Sequence, residues 1–303
     1  MNLLITGGMG HIGSKLINRI SSLKKIKKIL IIDNFSSERY ITFINLKNRH
    51  KLKFYDEDLI SFDKKKINIS LDYIIHLASS TNAEKSFLNK KRVLDENLEC
   101  TKKVLMLGSK NTKIIFASST SVYGSQFKII NSTNNLYNIS PQSPYAESKI
   151  LSENLIKRVS KNYVIMRFGT IFGISDGMRF HTAINKFCYQ AAMSQKITIW
   201  KKFYKKKRPY LDLNDCVRSI IFVVFNKKIR NETLDVVTVN LKVIDIIKQI
   251  EKFKKIKKIF VNTSILNQLS YEVHSDRLKK LKFKFYGKLF KTIKTTIKKL
   301  NIG

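Results

Sequence analysis

Residues 1–13 of the chain are MNLLITGGMGHIG, and this stretch decides the fold. A short apolar run is interrupted by Gly7, Gly10 and Gly13, and an amphipathic segment follows at once. That order predicts a strand, a tight turn and a helix. In such a turn, glycine lets a pyrophosphate approach the N–H groups at the helix N-terminus, where the helix dipole favours anions. The stretch therefore predicts a dinucleotide-binding turn, and an ordinary strand-to-helix connection is the alternative.

An aspartate after the second apolar run supports dinucleotide binding. Residues 29–32 are Ile-Leu-Ile-Ile, and Asp33 follows them, 20 residues beyond Gly13. A carboxylate at this place accepts hydrogen bonds from the hydroxyls of the adenosine ribose. It also repels a 2′-phosphate, and the first cation that follows it in the chain is Arg39, which is not directly beside it. We therefore expect NAD, in preference to NADP, as the cofactor.

Length and composition narrow the class of protein. The chain has 303 residues, enough for one large domain or two coupled ones. Its three cysteines are expected to be reduced core residues, and no metal site is expected. The first strand leaves no room for a secretory leader, and no apolar run approaches the ~20 residues that a membrane helix needs. We therefore expect a cytoplasmic protein that is not inserted in a membrane.

The formal net charge of +36 raises the question of a nucleic-acid partner. The lysines are spread from residue 15 to residue 299 and come with abundant isoleucine and asparagine, which is typical of an AT-rich coding sequence. No motif that reads RNA or DNA accompanies them. We therefore expect no nucleic acid as the main partner, and a basic protein that binds RNA or another partner without catalysis remains the alternative.

Apolar runs alternate with helical patterns through the first half of the chain. The strand-like runs fall at residues 2–6, 29–33, 51–55, 72–77, 114–117 and 163–166. Strands separated by helices predict an α/β fold with a Rossmann-like, doubly wound parallel sheet. Beyond residue 170 the pattern is less regular, which predicts a smaller mixed α/β substrate-binding cap. We expect a cofactor domain over residues 1–168 and a substrate-binding region, interleaved with it, over residues 169–303.

A group of hydroxyls and a tyrosine–lysine pair carry the predicted chemistry. Ser119 lies in a run of hydroxyl residues after the fifth predicted strand, at the carboxyl end of the sheet, where such folds bind ligands. Tyr145 and Lys149 are four residues apart on a predicted helix and so share one face. A tyrosine is a poor base at neutral pH because its pKa is ~10. A neighbouring ammonium and a positive nicotinamide ring stabilise the phenolate and lower that pKa.

These motifs occur in a known order. The glycine turn, Asp33-Asn34, His76-Leu77-Ala78, the hydroxyl run, Tyr145 with Lys149, and residues 208–215 (RPYLDLND) follow one another along the chain. In this the chain resembles the extended short-chain dehydrogenases/reductases, specifically their nucleotide-sugar epimerase/dehydratase group, and is most similar to UDP-glucose 4-epimerases. The likeness runs from residue 1 to about residue 225 and weakly beyond.

The resemblance implies roles for individual residues. It implies catalysis by Ser119, Tyr145 and Lys149. It implies contacts with the cofactor NAD from Gly7, Gly10, His11, Ile12, Gly13, Asp33, Asn34, Asp58, Leu59, Leu77, Ala78, Asn97, Tyr145 and Lys149. It implies contacts with a nucleotide-diphosphate sugar from Ser80, Ser119, Thr170, Arg179 and Arg208. The family's usual helix pair also implies a homodimer.

Two departures from the family's pattern concern the substrate. Thr170 stands where the epimerases have an asparagine, and no clear second arginine for the diphosphate occurs in the C-terminal region. Arg179 is the candidate substitute, and a solvated loop residue is the alternative reading of it.

The residue after Ser119 separates the reactions of this family. The 4,6-dehydratases and the decarboxylating relatives have an acidic residue there, whereas this chain has Thr120 and then Ser121. Elimination of water needs a proton acceptor and donor besides the tyrosine. We therefore expect epimerisation of a nucleotide-diphosphate sugar, at C4, through a transient keto-sugar. A reductase or dehydratase of the same fold is the alternative.

Overall fold

Seven parallel strands form the central sheet of the computed structural model, which describes residues 1–83, 85–125, 130–131, 139–262 and 270–301. The strands are β1 (Asn2–Thr6), β2 (Lys28–Asp33), β3 (Leu52–Asp56), β4 (Tyr73–His76), β5 (Lys113–Ser119), β6 (Ile130–Asn131), β7 (Tyr163–Phe168), β8 (Thr170–Phe172), β9 (Ile197–Trp200), β10 (Lys207–Asp212), β11 (Glu232–Val236), β12 (Val239–Lys242), β13 (Lys258–Val261) and β14 (Val273–His274). The helices are α1 (His11–Ile20), α2 (Ile41–Ile44), α3 (Lys90–Leu107), α4 (Pro144–Val159), α5 (Ala183–Ala192), α6 (Leu213–Phe225), α7 (Val243–Glu251), α8 (Asp276–Lys280) and α9 (Leu289–Leu300).

The strand order creates a crevice for a ligand. Across the central sheet the order is β3-β2-β1-β4-β5-β7-β11, so the chain leaves β1 in one direction and later returns to its other side at β4. Open sheets of this kind bind ligands outside the carboxyl ends of the strands at such a switch point. The loops that follow β1 and β4 therefore border the expected site. The predicted fold class is confirmed.

Helix α4 illustrates how local sequence fixes the position of site residues. The Ser143 side chain accepts a hydrogen bond from Ala146 N (3.2 Å), and Pro144 occupies the first turn. A serine cap followed by proline is a strong helix start, because the serine oxygen satisfies an unpaired N–H group and proline has the helical φ already. The helix therefore begins one residue before Tyr145, and it holds that residue at the sheet's carboxyl edge.

The cap is built on a second, smaller sheet of order β12-β10-β8. Buried apolar residues of α5, α7 and α9 form its core, among them Phe187, Ile246 and Ile293. β11 also comes from residues 169–303, yet it pairs with β7 in the central sheet. The two predicted regions thus share one sheet, and their division at residue 168 stays a prediction.

Helices were predicted best where one face is buried. Apolar residues recur at helical spacing near residues 180–194, 214–226 and 242–254, which predicts three helices, and these correspond to α5, α6 and α7. Residues 39–48 also have an amphipathic pattern that predicts a helix, but they form only the four-residue α2, whose Ile41 and Ile44 are 51% and 65% exposed. Within the described ranges, no helix is both long enough and apolar enough to cross a membrane.

Candidate active site

The turn between β1 and α1 is too closely packed to accept side chains. Gly7 has φ +68°, and a Cβ atom on it would lie 2.6 Å from Ala78 N. A Cβ atom on Gly13 would lie 2.5 Å from Gly8 O. Gly10 precedes α1 and gives no side-chain cap to the N–H groups of the first turn. The turn is thus a compact backbone cradle at a helix N-terminus, the geometry suited to a pyrophosphate.

Asp33, at the end of β2, is held in place by the backbone. Its Oδ2 accepts a hydrogen bond from Met9 N (2.9 Å), and its Oδ1 accepts one from Phe35 N (3.0 Å). Burial raises the pKa of this carboxyl, whereas the two N–H groups and the charge of Arg39 lower it. Arg39 therefore lies near enough to Asp33 to interact with it, which its distance along the sequence left open. Each carboxylate oxygen keeps a lone pair for a ribose hydroxyl.

Asn34 and Asp58 meet beside Asp33. The Asn34 amide donates to Asp58 Oδ2 (2.8 Å), and Ile60 N donates to Asp58 Oδ1 (2.8 Å). The side chain of Leu59 is 5% exposed and belongs to the apolar core between β1, β2, and α3. The structure therefore brings Asn34 and Asp58 together as a polar pair, and Leu59 presents chiefly its backbone to any ligand there.

His11 contains a buried nitrogen without a partner among the described residues. Its Nδ1 lies 2.8 Å from Ser175 Oγ, and Ser175 Oγ donates to the carbonyl of His11 (2.9 Å). Since the serine proton is used in the second bond, Nδ1 carries the proton of the first. Nε2 is then a bare acceptor, buried and unpaired. Burial, and then the charge of Arg179, hold the pKa of His11 well below its usual value.

The loop after β4 is joined to helix α4 through Asn97. Ala78 packs against Gly7, and Leu77 N donates to the carbonyl of Thr6 (3.0 Å). Asn97 Oδ1 accepts from Ser80 N (2.8 Å), and its amide donates to Ser148 Oγ (2.9 Å). Asn97 is 4% exposed, so these bonds fix the relative position of the β4 loop and α4.

Ser119 and Tyr145 form the predicted catalytic contact. Ser119 ends β5 and Tyr145 lies in the first turn of α4, so both side chains reach the carboxyl edge of the sheet. Burial raises the pKa of Tyr145, whereas the charge of Arg179 and the Ser119 hydroxyl lower it. The side chains of Ser119 and Tyr145 therefore lie within interaction distance of each other. Ser119 also lies 2.9 Å from Ser121 Oγ, so the predicted hydroxyl run is a connected group.

Lys149 lies beneath this tyrosine. Its Nζ donates to the carbonyl of Ala117 (2.9 Å) and lies 5.6 Å from the centre of the Tyr145 ring. Burial lowers the pKa of Lys149 to about 7. A lysine with this pKa changes charge near neutral pH, as proton-transfer groups in active sites do.

The sequence alone left the position of Arg179 open, with a substrate ligand and a solvated loop residue as the two interpretations. It lies in the loop after β8, and its Nη1 donates to Thr81 Oγ1. Its positive charge lowers the pKa of both His11 and Tyr145. Its Nε is buried and has no hydrogen-bond partner in the described part of the chain. Arg179 therefore lies within electrostatic reach of both the glycine turn and Tyr145, and its Nε is shielded from solvent.

Thr170 and Arg208 lie on one face of the cap sheet. Thr170 is paired with Tyr210 in the parallel register of β8 and β10, and Arg208 is two positions before Tyr210. The charge of Arg208 acts on Tyr271, whose hydroxyl lies 3.2 Å from Thr120 Oγ1. Tyr271 thus links Arg208, the predicted diphosphate ligand, with the run of hydroxyl-bearing residues that follows β5. No motif pointed to Tyr271, which follows a polar stretch without clear periodicity.

A buried ionic network holds the edge of the sheet beneath the site. The Arg167 guanidinium donates to both carboxylate oxygens of Glu153 (2.9 and 2.6 Å), and both side chains are 1% exposed. Ser118 Oγ donates to Glu153 (2.5 Å), and Arg167 donates to Tyr123 OH (2.9 Å). Glu153 stands four residues after Lys149, and this helical spacing could have indicated that it lies under the site.

Comparison with known proteins agrees with this geometry. A family model described as "NAD dependent epimerase/dehydratase family" matches residues 3–237. The chain belongs to this family. The motif-based assignment and the prediction of NAD as cofactor are thereby confirmed.

Individual relatives are distant. A protein of Bacillus subtilis named as an uncharacterized UDP-glucose epimerase is 28% identical over 78% of this chain and 76% of its own length. A dTDP-D-glucose 4,6-dehydratase of Dictyostelium discoideum is 29% identical over 76% of this chain and 56% of its own length. The crystal structure of UDP-glucuronic acid 4-epimerase from Bacillus cereus, with UDP-glucuronic acid and NAD, has a TM-score of 0.86, at 24% identity, over 99% of this chain and all of that one. At this identity the structural match shows a shared fold.

The residues present fit NAD. The glycine turn would be blocked by a Cβ atom at Gly7 or Gly13, as expected where a backbone must approach a pyrophosphate. The buried, unpaired Nε2 of His11 lies in the first residue of α1. Among the described residues, no group of three or more His, Cys, Asp or Glu side chains could hold a metal ion.

Proposed function

We propose that this protein catalyses the NAD-dependent epimerisation of a nucleotide-diphosphate sugar, at C4, through a transient keto-sugar. The observation that carries this proposal is the position of Tyr145 in the first turn of α4, where the Ser119 hydroxyl and the cation Arg179 both lie close enough to lower its pKa and Lys149 Nζ lies 5.6 Å from the centre of its ring. A phenol in this setting can exchange a proton with a sugar hydroxyl.

The residues of the chain divide the work of such a reaction. When bound, NAD supplies the hydride acceptor and donor and the positive charge of its nicotinamide ring. Tyr145, as phenolate, takes the proton of the sugar hydroxyl while the carbon that bears it is oxidised, and it returns that proton after the sugar has turned over. Ser119 hydrogen-bonds the same sugar oxygen. Lys149, at its carbonyl anchor Ala117, holds the nicotinamide ribose and adds positive charge beneath the ring of Tyr145.

Positive charge around Tyr145 favours its role as a base. Burial alone keeps the ligand-free tyrosine protonated, because it disfavours the phenolate. The charge of Arg179 opposes this effect on the pKa, and Lys149 Nζ lies 5.6 Å from the centre of the ring. The sequence predicted that Lys149 and the nicotinamide ring lower this pKa, and we assign a share of the effect to Arg179 as well.

The run of hydroxyl-bearing residues after β5 favours epimerisation over dehydration. Thr120 stands where the dehydratases have an acid, and its Oγ1 contacts Tyr271 OH (3.2 Å) and the carbonyl of Phe168 (3.3 Å). Among the described residues, no carboxylate acts on the pKa of Tyr145. This supports epimerisation, because elimination of water needs a second proton acceptor besides the tyrosine.

The substrate arrangement follows from the cap sheet. Arg208 lies on the same face as Thr170 and binds the diphosphate through charge-assisted hydrogen bonds. These bonds form whichever sugar and nucleotide the diphosphate joins. The cofactor pyrophosphate is held at the start of α1 by Gly7, Gly10, His11, Ile12 and Gly13.

The test is incubation of the purified protein with a panel of UDP-, GDP- and dTDP-sugars, with products separated by chromatography. We expect C4 epimers without net consumption of NAD(P)H. Tyr145→Phe should abolish turnover, since acid–base groups contribute ~10²–10⁴-fold, while NAD and substrate still bind. Tyr189→Phe, at an exposed position of α5, is the matched control. A 4-keto product or net oxidation of added NAD(P)H would show a dehydratase or a reductase instead.

A further inference from the structure

The segment from Ile174 to Arg179, between β8 and α5, lies directly on the cofactor turn. Ser175 Oγ makes two hydrogen bonds with His11: it lies 2.8 Å from His11 Nδ1, and it donates to the carbonyl of His11 (2.9 Å). Lys15 of α1 donates to the carbonyl of Ile174 (3.2 Å). The first two residues of the segment are thus fixed to the first two turns of α1.

Gly177 brings this segment into backbone contact with the glycine turn. A Cβ atom on Gly177 would lie 2.6 Å from Gly10 O and 2.8 Å from Met9 O. Its N–H group also lies 3.4 Å from Ser14 Oγ. No side chain at position 177 can be accommodated unless the segment moves away from the turn, since the colliding atoms are backbone atoms.

The end of the segment reaches the opposite wall of the cleft. Arg179 donates to Thr81, which lies a few residues beyond Ala78 in the loop after β4. Ala78 itself packs against Gly7. The segment therefore contacts the α1 side of the switch-point crevice at Ser175 and Gly177, and it contacts the β4 side at Arg179.

We propose that residues 174–179 form a third wall of the cofactor site, a strap that must lift before NAD can enter or leave. In the described part of the chain, two buried nitrogens near the cleft have no hydrogen-bond partner, His11 Nε2 and Arg179 Nε. The strap contains Arg179 itself and, in Ser175, the residue that is hydrogen-bonded to His11. The advantage of the strap rests on the proposed function, because a keto-sugar must be reduced by the same cofactor molecule that oxidised it. Its existence does not depend on the sugar.

A strap and a simple contact surface predict different kinetics. If the segment only adds contacts, its loss speeds NAD dissociation and leaves association unchanged. If it must lift, a weakened strap speeds both association and dissociation, and the equilibrium affinity changes less than either rate. The loss of one or two hydrogen bonds corresponds to about tenfold in rate.

The experiment measures NAD exchange without any sugar. Protein loaded with labelled NAD is chased with excess unlabelled NAD, and association is followed on cofactor-free protein. The variants are Ser175→Ala and Gly177→Ala, and Gly108→Ala is the control, since a Cβ atom there would have its nearest contacts at 3.4 Å. We expect both rates to rise about tenfold in the two strap variants and to stay unchanged in the control.

Two results would overturn the strap. One is exchange within about twofold of the wild-type rate in both variants. The other is faster dissociation with unchanged association, which would reduce the segment to a contact surface. Ser175→Ala keeps the test valid if Gly177→Ala fails to fold. Absence of epimerase activity with any sugar would refute the proposed function and leave these rates, and so this inference, unaffected.

Discussion

Replacing Lys149 by methionine should stabilise the ligand-free protein while it abolishes turnover. Lys149 is 4% exposed, and burial lowers its pKa from 10.5 to about 7. That difference corresponds to about 5 kcal/mol of unfavourable free energy for burying the ammonium. Methionine has a similar length and no charge, so this cost is removed. The carbonyl of Ala117 loses its donor, which costs about 1–3 kcal/mol. The net expectation is a gain of about 2–4 kcal/mol at pH 6 to 7.

The stability difference between wild type and Lys149→Met should depend on pH, and the protonation of Lys149 sets its direction. Below about pH 7 the lysine is charged in both the folded and the unfolded protein, so the full cost of burial is present. Above this pH the folded amine loses its proton, whereas the unfolded amine keeps its proton up to pH 10.5. Wild-type stability therefore rises by about 1.4 kcal/mol per pH unit in this window, relative to the variant. The advantage of Lys149→Met should shrink as the pH rises.

The assay is urea unfolding of both proteins from about pH 6 to about pH 9, where all other titrations cancel in the difference. Lys113→Met is the matched control, because Lys113 is also buried, donates to the carbonyl of Ile229 (2.8 Å) and has a pKa lowered by burial. Lys113→Met should also raise the free energy of unfolding, and it should leave turnover intact. A variant at position 149 that is less stable than wild type at pH 6, or a difference that does not change with pH, would refute the reasoning.

Three further outcomes are expected. Asp33→Ala should weaken NAD more than NADP, because it removes both the acceptors for the ribose hydroxyls and the repulsion of a 2′-phosphate; titration of both cofactors checks this, and an unchanged ratio would assign selectivity elsewhere. Arg208→Ala should weaken nucleotide-sugar binding by about 1.5–3 kcal/mol, and Lys205→Ala, at an exposed position, by much less; calorimetry showing equal effects would remove Arg208 from the site. Glu153→Gln should lower the free energy of unfolding by about 3–5 kcal/mol, because it leaves a buried guanidinium uncompensated; an unchanged urea midpoint would contradict this.

The cofactor half was predictable because its determinants are local. The glycine turn, the strand before Asp33 and the Tyr145–Lys149 spacing each lie within a few residues of one another, and each follows a short-range rule of helix or strand geometry. The alternation of strands and helices was enough to give the parallel sheet.

The contacts that escaped prediction join distant parts of the chain. Arg179 meets Thr81 across 98 residues, and Tyr271 meets Thr120 across 151. No periodicity marks a loop arginine or a tyrosine after an irregular stretch, so only the folded chain places them in the site. β11 was missed for the same reason, since its pairing with β7 depends on how the cap returns to the sheet.

The place of β11 has a consequence for synthesis of the protein on the ribosome. Val164 of β7 pairs with Glu232, 68 residues later, so β7 is an open edge while the intervening chain is translated. At about 5–20 residues per second this lasts about 3–14 s. The exposed edge is an apolar strand whose Val164, Ile165 and Met166 are fully buried in the finished protein. Such an edge is a template for pairing with another nascent chain. Translation pauses within residues 169–231 should therefore favour aggregation, and a fragment that ends before residue 232 should carry the same open edge permanently.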